Sequence, residues 1–271
     1  MSATEPRIYA YGIMWLREAD DVAAALPDYG ICGRVVRILA CGRLAALVTD
    51  LPPQALPDDV WRDPDRIKDL ILDHHRVLHG AARDRSVLPL RFGAVFSDDH
   101  DVATALAKHH QALCEALERI DGAREWGVKM FCDHGRLHSR LNRDTDVRVD
   151  PAAIDASCAG RAFFVRRRNE HRIAEDMHDA IVRRIVESRR LLSGAARTIA
   201  TLRIQPPTIH RRADEMVWNS AFLVARDQES RFAATVDRLR DIAPIPAFDY
   251  ELNGPWAPCS FAHLSLGSAR P

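Results

Sequence analysis

Apolar positions in this chain recur with two periods, and the alternation between them sets the predicted elements. Residues 7–15 (RIYAYGIMW), 32–40 (CGRVVRILA) and 44–49 (LAALVT) predict strands, the last two joined as a hairpin through Cys41, Gly42 and Arg43. Residues 20–26 predict a short helix capped by Asp20 or Asp21 and stopped near Pro27. The proline-rich stretch 51–64 reads as a loop whose Trp61 lies across a hydrophobic face. A helix follows, with Ile67, Leu70, Ile71, His74, Leu78 and Ala81 on one stripe, and residues 87–92 predict the next strand. The order up to Phe92 is therefore βαββαβ, the split-βαβ order.

Residues 98–120 predict one long helix, capped by Asp98 or Asp99, with Val102, Leu106, His109, Leu113, Leu117 and Ile120 buried. Residues 126–132 predict a strand and 133–157 a polar connection. A helix over 160–200, a short strand at 201–204, a strand at 215–225, a helix at 229–242 and a strand at 248–252 complete a second βαββαβ series. The expected fold is α+β: two ferredoxin-like modules, residues 1–97 and 125–253, joined by a helix at 98–124 and followed by an extended C-terminal tail at 254–271.

Composition narrows the function classes. With 271 residues and 38 basic against 38 acidic side chains, the chain has the size for two cores and no global field favouring nucleic acid or an anionic membrane. The six cysteines show no C-x-x-C spacing, which leaves metal and redox motifs without support. The N-terminus lacks a basic region followed by an apolar core, and no apolar run reaches membrane-spanning length, so a cytoplasmic protein with reduced thiols is expected.

Candidate chemistry is sparse. His75 and His79 stand four apart, yet no Glu follows His75 in the H-E-x-x-H manner; His74, on the apolar stripe, reads as a hydrogen-bonded core histidine. His110 and Cys114 have the same spacing without an identifiable third ligand. There is no G-x-S-x-G elbow, P-loop or G-x-G-x-x-G. The arginines at 166–168, 183–184 and 189–190 are interleaved with Glu170, Glu175, Asp176, Asp179 and Glu187, as on a solvated helix. Two stretches stand out. In 87–96 (VLPLRFGAVF) one charge, Arg91, sits in apolar surroundings, where it must reach solvent along its stem or meet a carboxylate; Pro89 places the strand at an edge or bulge, and Gly93 allows a turn. In 252–261 (LNGPWAPCSF) Pro255 and Pro258 hold the backbone extended, either as a clasp over its own module or as an apolar contact offered through Trp256 and Phe261 to another protein.

LPLRFGAVF at 88–96, EWGVK at 125–129, NSAFLV at 219–224 and NGPWAPCSF at 253–261, together with YAYGI at 9–13 and GRLAALV at 42–48, resemble the gas vesicle protein F/L family over nearly the whole chain. The tail departs from that family's G-P-W-P-P-Y-S-F at Ala257 and Cys259. The resemblance implies two α+β domains and a minor structural or assembly protein of gas vesicles, the hollow intracellular shells that give buoyancy. It implies no catalytic role, and association with the small hydrophobic shell protein and other accessory proteins; no cofactor or metal is expected, since the residues carry no motif for one. Arg91, Phe92, Phe96, Trp256 and Phe261 are the candidate partner-binding residues, with Arg91 a polar anchor at a strand end. Two other readings stay open: a small-ligand or haem-binding protein or enzyme with a pocket between the modules, and nucleic-acid binding through the arginine clusters.

Overall fold

The first strand, β1 (Arg7–Trp15), buries eight of its nine residues, so its apolar run is covered on both faces of a sheet. The computed structural model describes residues 6–53, 55–56, 60–146, 159–241, 247–262 and 268–269. After β1 come α1 (Ala19–Ala25), β2 (Val36–Cys41), β3 (Leu44–Leu51), α2 (Pro64–Ala81), β4 (Leu88–Pro89), β5 (Ala94–Phe96), α3 (Asp99–Lys108) and α4 (His110–Ile120). There follow β6 (Ala123–Cys132), α5 (His134–Asp146), α6 (Ala159–Ser193), β7 (Thr198–Thr201), α7 (Pro207–His210), β8 (Glu215–Ala225), α8 (Glu229–Asp241), β9 (Phe248–Trp256) and β10 (Ser268–Ala269). The chain divides into two units, Met1–Glu125 with Pro255–Pro271, and Trp126–Gly254.

In the first unit the sheet order is β10-β5-β1-β3-β2, with β4 also on β1, and these neighbours pair antiparallel. The hairpin β2–β3 turns over Gly42 and Arg43, with Cys41 opposite Leu44. Between Ala10 and Gly12 the β1–β3 register slips, and the bulged Tyr11 turns its carbonyl to accept from the Leu90 N–H at 2.8 Å. Gly12 is required by close approach: a Cβ there would lie 2.9 Å from the Leu88 carbonyl oxygen and from Val87 Cγ1. Helix α2 starts on Asp63, whose carboxylate accepts from the N–H groups of Asp65 and Arg66, with Pro64 in its first turn. It lays Leu70, His74, Val77, Leu78 and Ala81 against the sheet core of Tyr9, Tyr11, Met14 and Leu47.

Several elements differ from the sequence expectation. The strand expected over 87–92 shortens to Leu88–Pro89, because the chain turns over Arg91 to Ala94 at the glycine expected to allow it, and a second short strand, Ala94–Phe96, follows the turn. The helix expected over 98–120 breaks at His109 (φ −107°, ψ 14°), giving α3 and α4; Asp98 caps α3 by accepting from the Asp101 N–H at 2.7 Å. Neither Asp20 nor Asp21 caps α1, which begins at Ala19 with Glu18 in the cap position. The side chain of Trp61 lies outside the described residues.

The second unit has the strand order β7-β8-β6-β9. Its core joins Val128, Met130, Phe222, Phe232, Leu239 and Tyr250, with α6 and α8 packed against each other and on β8. The connection expected over 133–157 contains α5, which packs along α6; residues 147–158 lie outside the described residues. Asp133 starts α5 by accepting from the Arg136 N–H at 2.9 Å. The long helix stops at Ser193 rather than near residue 200, and the strand after it is Thr198–Thr201 rather than 201–204. The final strand runs on to Trp256, past the expected end at residue 252.

Candidate functional site

The turn that separates β4 from β5 is held from below by a buried polar network. The Arg91 carbonyl accepts from the Ala94 N–H at 3.2 Å, and Gly93 between them has φ +89°, the left-handed position of a type II turn that glycine fills without strain. The Gly93 N–H donates to the Tyr9 hydroxyl at 3.2 Å, and that hydroxyl lies 2.8 Å from His74 Nδ1. Having accepted from Gly93, the phenol has its own proton for Nδ1, which assigns the imidazole proton to Nε2. Burial, helped by the neighbouring His75, drives the His74 pKa down to about 3, while a hydrogen bond to the Leu90 main chain opposes that shift. His74 is therefore neutral, only 2% exposed, stacked on Tyr11 and edge-on to Tyr9 and Phe92.

Tyr11 completes the network. Its hydroxyl accepts from the Ile31 N–H and lies 2.9 Å from Thr49 Oγ1, which in turn donates to the Val35 carbonyl at 3.2 Å. Burial pushes both phenols above their ordinary pKa. Each stays a neutral donor and acceptor, and each has both roles filled.

The five predicted partner-binding residues fall into two groups. Arg91 is exposed at the turn, reaching solvent as one of its two expected solutions, and Trp256 is 50% exposed. Phe92 is half-buried beside His74. Phe96 and Phe261 are inside the first unit, at 3% and 8% exposure, so a partner reaches them only if the unit opens. Trp256 leans over His79 of α2 with ring centroids 5.6 Å apart. Leu72, His75 and His79 share one exposed face of α2 by their helical spacing, so Trp256 adds its ring to an aromatic and apolar band along that helix.

The segment carrying Trp256 is ordered by its continuation. Pro258 (φ −77°, ψ 58°) forms an inverse γ-turn, with the Cys259 N–H donating to the Ala257 carbonyl at 2.7 Å. Ala257 enters the core of the first unit, and Cys259 is exposed. Ser260 donates twice to the buried Glu125 carboxylate, from its N–H at 2.8 Å and its hydroxyl at 2.7 Å. Burial raises the Glu125 pKa, and the two Ser260 bonds counter it. Glu125 lies in the EWGVK motif but one residue before the strand predicted at 126–132, so the sequence pattern alone does not mark its carboxylate as buried; the observed strand begins at Ala123 and takes it in.

Elsewhere the candidate chemistry stays dispersed. Among the described residues no three His, Cys, Asp or Glu side chains group as a metal would need, and His110 and Cys114 approach only to 3.8 Å. On α6, Asp179 pairs with Arg183 at 4.0 Å and Glu187 with Arg184 at 3.1 Å, as expected for a partly neutralised helix. No described helix is long and apolar enough to cross a membrane.

Comparison with known proteins places the chain among relatives of one kind. The family model described as gas vesicle synthesis protein GvpL/GvpF matches residues 7–263. Gas vesicle protein L of Streptomyces sp. (strain CB03234) is 30% identical over 272 residues, covering 97% of this chain and 95% of that protein. Gas vesicle protein F of the same strain is 28% identical, covering 93% and 98%. The crystal structure of gas vesicle protein GvpF from Anabaena sp. PCC7120 superposes with a TM-score of 0.69 at 20% identity, over 96% of this chain and 98% of that one. GvpF from Microcystis aeruginosa gives 0.65 at 20% identity, over 95% and 99%. At that identity the two structures speak for the mixed α+β fold.

Proposed function

This chain belongs to the gas vesicle synthesis protein GvpL/GvpF family, and from that premise we propose that it helps nucleate or assemble the vesicle shell by binding the small hydrophobic shell protein. Each unit is read as a ferredoxin-like module, since the order β7-β8-β6-β9 and its counterpart β5-β1-β3-β2 both follow from a βαββαβ series. No catalytic step, cofactor or metal enters this reading.

The observation that carries it is the display of Trp256. A tryptophan left half in water forgoes much of its favourable burial, roughly 1–3 kcal/mol for a large apolar side chain, and its segment is anchored on both sides of the turn that follows. An ordered aromatic held outward is the type of residue that dominates binding energy in protein interfaces. Arg91, Phe92 and Trp256 are the contact residues in this reading, with Leu72, His75 and His79 extending the band. Phe96 and Phe261 act from beneath by shaping the unit.

Co-purification of the shell protein with the wild-type chain, Trp256→Ala and Arg91→Ala tests the assignment. Trp256→Ala is expected to reduce capture at least ~tenfold, as for an interface anchor, with the unfolding midpoint unchanged. Arg91→Ala is expected to weaken it less. Undiminished capture by a folded double variant would remove this surface from consideration.

A further inference from the structure

The outward side of α6 carries a regular seam that its own unit does not use. Glu175, Asp179, Val182, Val186, Arg189 and Ser193 follow one another at alternating intervals of four and three residues, the spacing of a two-helix seam, and all six are exposed. The helix buries a different stripe in its own unit, Ile173, Ala180, Arg184, Ser188 and Leu192. Val182 and Val186 are 42% and 60% exposed. Two β-branched residues one turn apart on the solvent side lower helix propensity and expose apolar surface, with no compensating packing inside the unit.

The charges around the valines identify the occupant. Acidic Glu175 and Asp179 precede the pair and basic Arg189 follows it. When two copies of the seam are set antiparallel about the level of residue 184, each Val182 meets the other copy's Val186, and each Asp179 meets the other copy's Arg189. A parallel pairing stacks Asp179 on Asp179 and Arg189 on Arg189. The sequence of the seam is thus complementary to itself in one direction only. The internal Asp179–Arg183 pair does not compete strongly: it is 4.0 Å long, with side chains 65% and 72% exposed. We infer that α6 pairs antiparallel with α6 of a second copy of this chain, through the Val182–Val186 seam flanked by two Asp179–Arg189 ion pairs.

Sedimentation equilibrium of the full chain over a range of concentrations tests this. A monomer–dimer equilibrium that weakens with salt is expected. Asp179→Arg and Arg189→Asp should each raise the dimer dissociation constant about tenfold, because each single reversal sets like charges opposite one another twice. The double variant Asp179→Arg with Arg189→Asp should restore association, and Val186→Glu should abolish it. All three substituted side chains being exposed, thermal unfolding should be unchanged in every variant. A chain that stays monomeric at the highest concentration reached, a dimer indifferent to the single reversals, or a double variant no better than the singles would overturn the inference.

Discussion

His74 is a titratable group held neutral inside the first unit, and its environment gives folding stability a definite dependence on pH. The Tyr9 hydroxyl and the Leu90 main chain satisfy both ring nitrogens only when the imidazole is uncharged. Its pKa in the folded chain, about 3, lies below the ordinary 6.5, so between those values the unfolded chain binds the extra proton. Stability from this residue is complete above the unfolded value and falls as pH drops toward the folded one. The loss amounts to about 2 kcal/mol by pH 5. His74→Gln, which keeps one acceptor and one donor without a proton to gain, should flatten that decline, whatever its cost in ring packing. Urea unfolding at pH 7, 6 and 5 for both proteins measures the difference in slope; equal slopes would mean that His74 titrates normally. The buried role was legible in the sequence because a histidine on an apolar helical stripe needs a partner. Which partner was not, since Tyr9 is 65 residues away in the chain.

At the scale of elements, hydrophobic period located the strands and helices whose stripes are long, and it failed where a break or a short stripe decided the structure. β8 has the expected bounds because its apolar run is continuous. α5 escaped notice because Leu137 and Leu141 are its packed apolar contacts in an otherwise polar stretch. The break at His109 leaves the apolar spacing of α3 and α4 nearly in phase, so one helix and two give the same pattern. The candidate site divides in the same way. The strand-end and tail motifs were visible as residues, but whether Phe96, Trp256 or Phe261 faces water is set by the sheet and by Glu125, which period does not encode. The segment after Pro255 is ordered locally by Ser260, and Ser260→Ala should therefore destabilise the first unit by about 1–3 kcal/mol, leaving a buried carboxylate with one donor fewer. The measurement is the unfolding midpoint, with fluorescence quenching by iodide reporting greater access to Trp256. A change below 0.5 kcal/mol, roughly the scatter of a neutral surface substitution, would assign the ordering to the γ-turn alone.

For the whole molecule, the governing fact is that the first unit is discontinuous in sequence. The chain leaves it within β6, builds the second unit, and returns within β9 to supply residues 255–271. The returning segment places Ala257 and Phe261 among the buried residues, gives Glu125 its two donors, and adds β10 to the edge of β5. Ending the chain at Gly254 removes these contributions while deleting nothing from the second unit. Losing two buried apolar side chains and stranding a buried carboxylate costs several kcal/mol, roughly, a large share of the 5–15 kcal/mol that holds a typical domain together. The expected outcome is selective. Hydrogen exchange should accelerate in β1, β3 and α2, while amides of β8 and α8 keep their protection, because their core of Phe222, Phe232 and Leu239 is intact. Shell-protein capture should fall with the first unit, since Trp256 goes with the deleted segment, and an otherwise full-length Trp256→Ala chain separates that loss of contact from the loss of structure. Uniform acceleration in both units would show that they unfold as one cooperative body; unchanged protection in β1 and β3 would show that the returning segment is dispensable to the unit it completes.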